Sequence, residues 1–245
     1  MSRKKTAKDD SIKINANPFD KIKIQGRQLT EKQKLFLDLS LQDTTKIMFI
    51  SGPAGSTKTY ISVMSALRHL QRDNSLDLLY VRTAIESADK GLGALPGTIE
   101  EKINPYMAPL EDKLLELLPS NSTIKADLVK SGRVQAMPIN YLRGANWTNK
   151  VVVADESQNF TFKELVTMIT RLGENSKLFI CGDSMQSDIN GKSGFSPMIN
   201  LFNDEKSKEK GIHTFWFNES DIQRSEILKY IITKLKEHHK TQKTV

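Results

Sequence analysis

The sequence predicts an α/β fold, a mostly parallel sheet covered by helices on both faces. Two observations carry this. Short segments that are apolar on both faces alternate along the chain with segments of helical spacing. Strands apolar on both sides belong to parallel sheets sandwiched between helices, and strand–helix alternation supplies those helices.

Residues 1–27 form a basic segment, polar and expected to be disordered at its start. Leu35, Phe36 and Leu39 place a helix over Thr30 to Leu41, with Thr30 as its N-cap. Lys46 to Ser51 (KIMFIS) reads as a strand, a glycine-rich turn follows, and Ile61, Met64, Ala66 and Leu67 mark a helix from Lys58 to about Gln71. Leu76 to Val81 is a second strand. Arg82 to Gly97, with three glycines, reads as a long loop. Thr98 to Leu118 is mostly helical, with breaks expected near Pro105 and Pro109. Val134 to Met137, Lys150 to Ala154, Lys177 to Cys181 and Ile212 to Phe217 are further strands; Phe162 to Leu172 is a helix, and Ser220 opens a last one to about His238. No Pro/Gly-rich linker divides residues 28–238, so they are read as one domain, followed by a basic tail at 239–245.

Charge is unevenly placed. The formal net charge is +7. Residues 1–13 carry five bases against two acids, residues 229–245 five against one, and the stretch between holds 26 of each. Polyanion contact suggested by a basic protein therefore attaches to the two ends. No apolar run approaches the roughly 18–20 residues of a membrane span, and the N-terminus lacks a signal-type apolar stretch. One cysteine, Cys181, allows no internal disulfide, which makes a reducing cytoplasm the expected compartment.

Gly52-Pro53-Ala54-Gly55-Ser56-Thr57-Lys58-Thr59 follows a strand and opens a helix, the context of a phosphate-binding P-loop. Glycines let backbone N–H groups wrap a phosphate chain, and the helix start adds a positive dipole. Lys58 would reach the outer phosphates and the Thr59 hydroxyl would ligate Mg²⁺. Thr57 stands where the usual pattern has glycine, a site at which a Cβ narrows the space and restricts φ.

Val151-Val152-Val153-Ala154-Asp155-Glu156 is an apolar strand ending in two acids. Asp155 would hold the Mg²⁺ hydration shell and Glu156 would orient or deprotonate the attacking water. Leu178 to Cys181 ends similarly in Gly182-Asp183-Ser184-Met185-Gln186, where the Gln186 amide could sense a γ-phosphate. Gln33 has two readings: the return partner of a capping box with Thr30, or an adenine-reading glutamine. Phe215–Phe217 reads as a strand rather than a base-stacking platform, and Trp147 with Tyr141, near Arg143, as the better surface candidate for nucleic acid.

Gln33, the GPAGSTKT loop, the DESQN run at Asp155–Asn159 and the GDSMQ run at Gly182–Gln186 together resemble the PhoH-like (phosphate-starvation-inducible) ATPase family. That family is similar to the first motor core of superfamily 1 helicases. Arg82, Leu92–Gly97, Pro105-Tyr106, Pro109-Leu110, Tyr141–Gly144 and Ser220–Arg224 extend the resemblance over roughly residues 28–235. Departures are Thr57, Ser157 where alanine is usual, and Ala145 where a second arginine is usual. The resemblance implies a RecA-like P-loop NTPase that binds ATP with Mg²⁺, hydrolyses it, acts on RNA or single-stranded nucleic acid, and forms ring-like homo-oligomers, a hexamer being one size. Longer members carry a nuclease or RNA-binding domain for which this chain has no room. Compact members are common in bacteriophages, which makes a phage-encoded protein in the host cytoplasm one reading of its source.

Hydrolysis in this class needs positive charge at the γ-phosphate, often from an arginine finger. A single core would take it from a neighbouring subunit, with Arg224 the first candidate and Arg143 and Arg82 following. Two rival functions stay open. One is a nucleotide-dependent oligomeric binding module with negligible turnover, favoured by Thr57. The other is a small-molecule kinase, disfavoured because transfer to a substrate needs no water-activating glutamate.

Overall fold

The computed structural model describes residues 23–83, 99–119, 123–139, 146–189 and 191–222, with isolated helical positions between 227 and 234. In chain order the elements are α1 (Glu31–Ser40), β1 (Ile47–Ser51), α2 (Lys58–Arg72), β2 (Asp77–Arg82), α3 (Ile99–Leu117), α4 (Ile124–Lys130) and β3 (Val134–Pro138). They continue with β4 (Lys150–Ala154), α5 (Phe162–Ile169), β5 (Lys177–Gly182), α6 (Phe195–Leu201), α7 (Glu205–Glu209) and β6 (Ile212–Trp216). The strands form one sheet, order β3-β2-β4-β5-β1-β6, and every neighbouring pair is parallel. This is the α/β RecA-like P-loop fold expected.

Successive strand side chains point to opposite faces, and both faces here are apolar. Met48, Ile50, Tyr80, Val151, Val153 and Phe179 face α1, α2 and α3. Ile47, Phe49, Val81, Val152, Ala154 and Ile180 face α5 and α6. The central strands β1, β4 and β5 read as nearly unbroken apolar runs because their residues have a core to enter on either face, whereas the edge strands β3 and β6 carry Gln135, His213 and Thr214.

α3 keeps helical backbone through both prolines, against the breaks expected there. Met107, Leu110, Leu114 and Leu117 form an apolar stripe that is buried on β3 and α2, and tertiary packing outweighs the local cost of proline. α4, α6 and α7 had no expectation; with seven, seven and five residues they are too short for periodicity to show. Arg82 is the last residue of β2, not part of a loop. Ser220, expected to open the final helix, lies instead in a 3-10 turn, Glu219–Asp221, that ends on an extended Ile222. Trp147 is buried, 3% exposed among the α5–α6 core, which corrects its reading as a surface residue. Phe215 and Phe217 pack edge-on and tilted against Phe36, leaving Trp216 half exposed on the other side. Cys181 is fully buried, as a core residue should be.

Candidate active site

The carboxyl ends of β1, β2, β4 and β5 meet at one edge of the sheet, where a cavity of about 680 Å³ opens. The expected residues Lys58, Thr59, Asp155, Glu156 and Gln186 all line it, although β1, β4 and β5 deliver them from positions far apart in sequence. Ala54, Gly55 and Thr57 line it too. Gly52, Pro53 and Ser56 belong to the same loop but do not face this cavity; Ser56 is buried and its Oγ donates to the Pro53 carbonyl at 2.8 Å. Gly52 cannot carry a side chain, because a Cβ there would sit 2.7 Å from that of Phe217.

The loop turns through two left-handed residues, Gly55 at φ 83° and Thr57 at φ 64°. Glycine adopts this region freely; a β-branched residue does so at about 1–3 kcal/mol. Thr57 is nevertheless the residue before α2, and its side chain caps no N–H of the helix. It donates instead to the Ser56 carbonyl at 2.7 Å and accepts from Gln33 Nε2 at 2.5 Å. Gln33 is buried and its Oε1 accepts from the Thr30 backbone at 3.0 Å, completing the capping box of α1. Its amide is thus committed on both sides, and Gln33 is not among the residues that line the cavity.

Lys58 folds back over the loop, donating to the Gly52 and Pro53 carbonyls at 2.7 and 3.0 Å. Burial pulls its pKa below the ordinary lysine value, opposed chiefly by the charge of Asp183 and less by Asp155 and Glu156. An arriving polyanion would favour the charged form further.

Asp155 is 7% exposed and holds a donor on each oxygen. Thr59 Oγ1 donates to Oδ1 at 2.6 Å, and Tyr80 donates to Oδ2 at 2.5 Å. The alternation along β2 and β4 explains the second contact: Tyr80 pairs in register with Val153, and both face α2, the side on which Asp155 also emerges. Burial, and then the neighbouring Asp155 charge, push the Tyr80 phenol far above its usual pKa, so it stays a donor. Sequence reading missed Tyr80, because only the register of two distant strands brings it to Asp155.

Glu156 sits at φ 52° and is half exposed. Its Oε2 accepts from Gln158 Nε2 at 2.6 Å, and Arg82 lies 3.8 Å from Oε1. Gln158 was noted only as part of the DESQN run, yet it links two motifs, since its Oε1 accepts the Asp183 backbone N–H at 2.9 Å. Asp183 in turn accepts from the Ala54 and Met185 backbones at 3.1 and 3.0 Å, which ties the end of β5 to the P-loop. Asn159 and Asp188 exchange two further bonds. Gln186 is exposed on the turn so formed. Ser157, one of the departures, is fully buried, and its hydroxyl donates to the Ala154 carbonyl at 3.1 Å. Arg224, Arg143 and Ala145 lie outside the described residues.

The donor set suits Mg²⁺. Among the described residues no cluster of three or more His, Cys, Asp or Glu side chains could hold a metal. Mg²⁺ needs none, because it takes one or two protein oxygens and completes its shell with water and phosphate. Thr59 and Asp155 present such a pair.

A parallel sheet whose carboxyl edge carries a P-loop, a threonine–aspartate pair and a neighbouring glutamate defines a P-loop NTPase-type protein. The family model for PhoH-like protein matches residues 24–236, and the chain belongs to that family, a family of P-loop ATPases. A PhoH-like protein of Mycobacterium tuberculosis is 33% identical over 208 residues, covering 84% of this chain and 56% of that protein. A PhoH-like protein of Synechocystis is 32% identical over 188 residues, 76% and 55% of the two chains. Protein PhoH of Escherichia coli K12 is 34% identical over 166 residues, 67% and 47%. The chain thus spans about half the length of the curated relatives it matches. No helix among the described residues is long and apolar enough to cross a membrane.

Proposed function

We propose that this protein binds Mg-ATP and hydrolyses it, and that turnover is coupled to RNA or single-stranded nucleic acid. The observation that carries the reading is the meeting of Lys58, the Thr59–Asp155 pair, Glu156 and Gln186 around one cavity. Lys58 and the open start of α2 bind the phosphate chain. Thr59 and Asp155 would hold Mg²⁺, which would supply positive charge to stabilise the phosphates during transfer. Glu156, held by Gln158 and close to Arg82, orients water, and Gln186 senses the terminal phosphate.

The arginine finger is proposed to be Arg224 of a neighbouring copy in a ring-like homo-oligomer, because Arg82 is already beside Glu156 of its own chain. Nucleic-acid contact is assigned to the basic ends, since the chain between them is neutral. A cytoplasmic site of action is proposed from the lone cysteine, Cys181, which is buried and free.

Phosphate release measured for wild type and Glu156→Gln, with and without single-stranded RNA across a salt series, tests this. Hydrolysis that the variant loses, and RNA stimulation that fades steeply with salt, support it. One observation favours the second reading, a nucleotide-held oligomeric module with negligible turnover: the left-handed Thr57 in the loop. Equal background rates for both proteins would decide for that module.

A further inference from the structure

We infer that Gln33 is a positioning residue for the phosphate loop, acting through the Thr57 hydroxyl rather than on the base of the nucleotide; this rests on the nucleotide reading of the site. Three observations converge. Thr57 holds a left-handed conformation that its branched side chain disfavours. Its hydroxyl is fixed at both ends, donating to Ser56 within the loop and accepting from Gln33 across 24 positions of sequence. Gln33 itself is immobilised, 1% exposed, with its oxygen spent on the α1 cap.

The physical logic follows from the glycine that is missing. Glycine would take this φ without help and would need no hydroxyl partner. A threonine needs its χ1 and backbone held, and the buried amide supplies a fixed donor at 2.5 Å. The first turn of α1 therefore sets the shape of the loop that begins α2. Since Thr57 lines the cavity and Gln33 does not, the effect on ligand passes through the loop, and every phosphate chain feels it whatever base it bears.

The test is a double-mutant cycle read by affinity for Mg-ATP, Mg-GTP and inorganic tripolyphosphate. Gln33→Ala should weaken all three by the same factor, about tenfold, the worth of one well-placed hydrogen bond. Thr57→Val keeps the branched shape but removes the acceptor, and should match that loss. In a Thr57→Gly background, Gln33→Ala should change affinity by less than about twofold. The lost α1 cap lowers thermal stability equally in both backgrounds, so a merely structural role would not produce this pattern. A loss confined to ATP, with tripolyphosphate unchanged, would make Gln33 a base reader and overturn the inference. So would an undiminished loss in the glycine background. Wild-type protein that binds none of the three ligands would sink the nucleotide reading itself, and this inference with it.

Discussion

Two helices leave the same edge of the sheet and begin in opposite ways. α5, after β4, starts with a closed box: Thr161 accepts from the Glu164 backbone, and the Glu164 carboxylate returns to the Thr161 N–H at 2.8 Å. α2, after β1, starts from a left-handed Thr57 with no side-chain cap. Every helix start leaves four N–H groups without intrahelical partners. In α5 side chains of the same turn consume part of that set, and the end is a joint. In α2 no side chain caps them, the flanking Lys58 and Thr59 face a cavity, and the end is free to serve as the proposed receptor for an anion. The function proposed for this protein thus falls where a cap is withheld.

The largest effects should come from the charged groups around the cavity that the open end faces. Glu156→Gln should lower phosphate release by about 100-fold or more while Mg-ATP still binds, since a positioned general base contributes 10² to 10⁴. Lys58→Ala should weaken ATP binding by about 100-fold through loss of a charge-assisted contact, measured by nucleotide titration.

The far end of α2 gives the next largest effect. His69 is buried, its Nε2 donates to the Ser40 carbonyl at 3.0 Å, and burial pulls its pKa from 6.5 to about 4. The unfolded chain binds a proton that the folded one refuses. The stability His69 contributes is therefore complete above pH 6.5 and shrinks as pH falls towards 4, by about 3 kcal/mol in all. Melting of wild type and His69→Gln between pH 7.5 and 4.5 checks this; the wild type should lose ground steadily below pH 6.5.

Tyr80→Phe sharpens the comparison at the metal pair. It leaves Thr59 in place but removes one of the two donors on Asp155, and should raise the Mg²⁺ concentration needed for half-maximal activity by about tenfold. The smallest effect belongs to the closed end. Thr161→Ala should cost about 1 kcal/mol of stability in a denaturant titration and leave ATP affinity unchanged. A change in affinity there would mean that α5 is not a mere joint.

Much of this site was legible in one dimension. The loop from Gly52 to Thr59, the acids after the valine strand and the turn after Cys181 each stand in a continuous run of residues, and local chemistry names them. Gln33 was legible only as an ambiguity, because a capping box and a ligand-reading amide are written alike. Tyr80 and Gln158 carried no signal of their own: one depends on which strand lies beside β4, the other on how the Asp155 and Asp183 turns pack together. The prolines of α3 misled, since the cost of proline is local while the stripe that outweighs it finds its partners on β3 and α2.

By itself the sequence determined the fold class and named the residues proposed to react, because apolar runs, helical spacing and loop motifs are properties of neighbours along the chain. Only the tertiary structure decided the strand order, the second donor on Asp155 and the grip of Gln33 on Thr57. Those depend on pairing between segments tens of residues apart, where burial and register, not local preference, choose the partner.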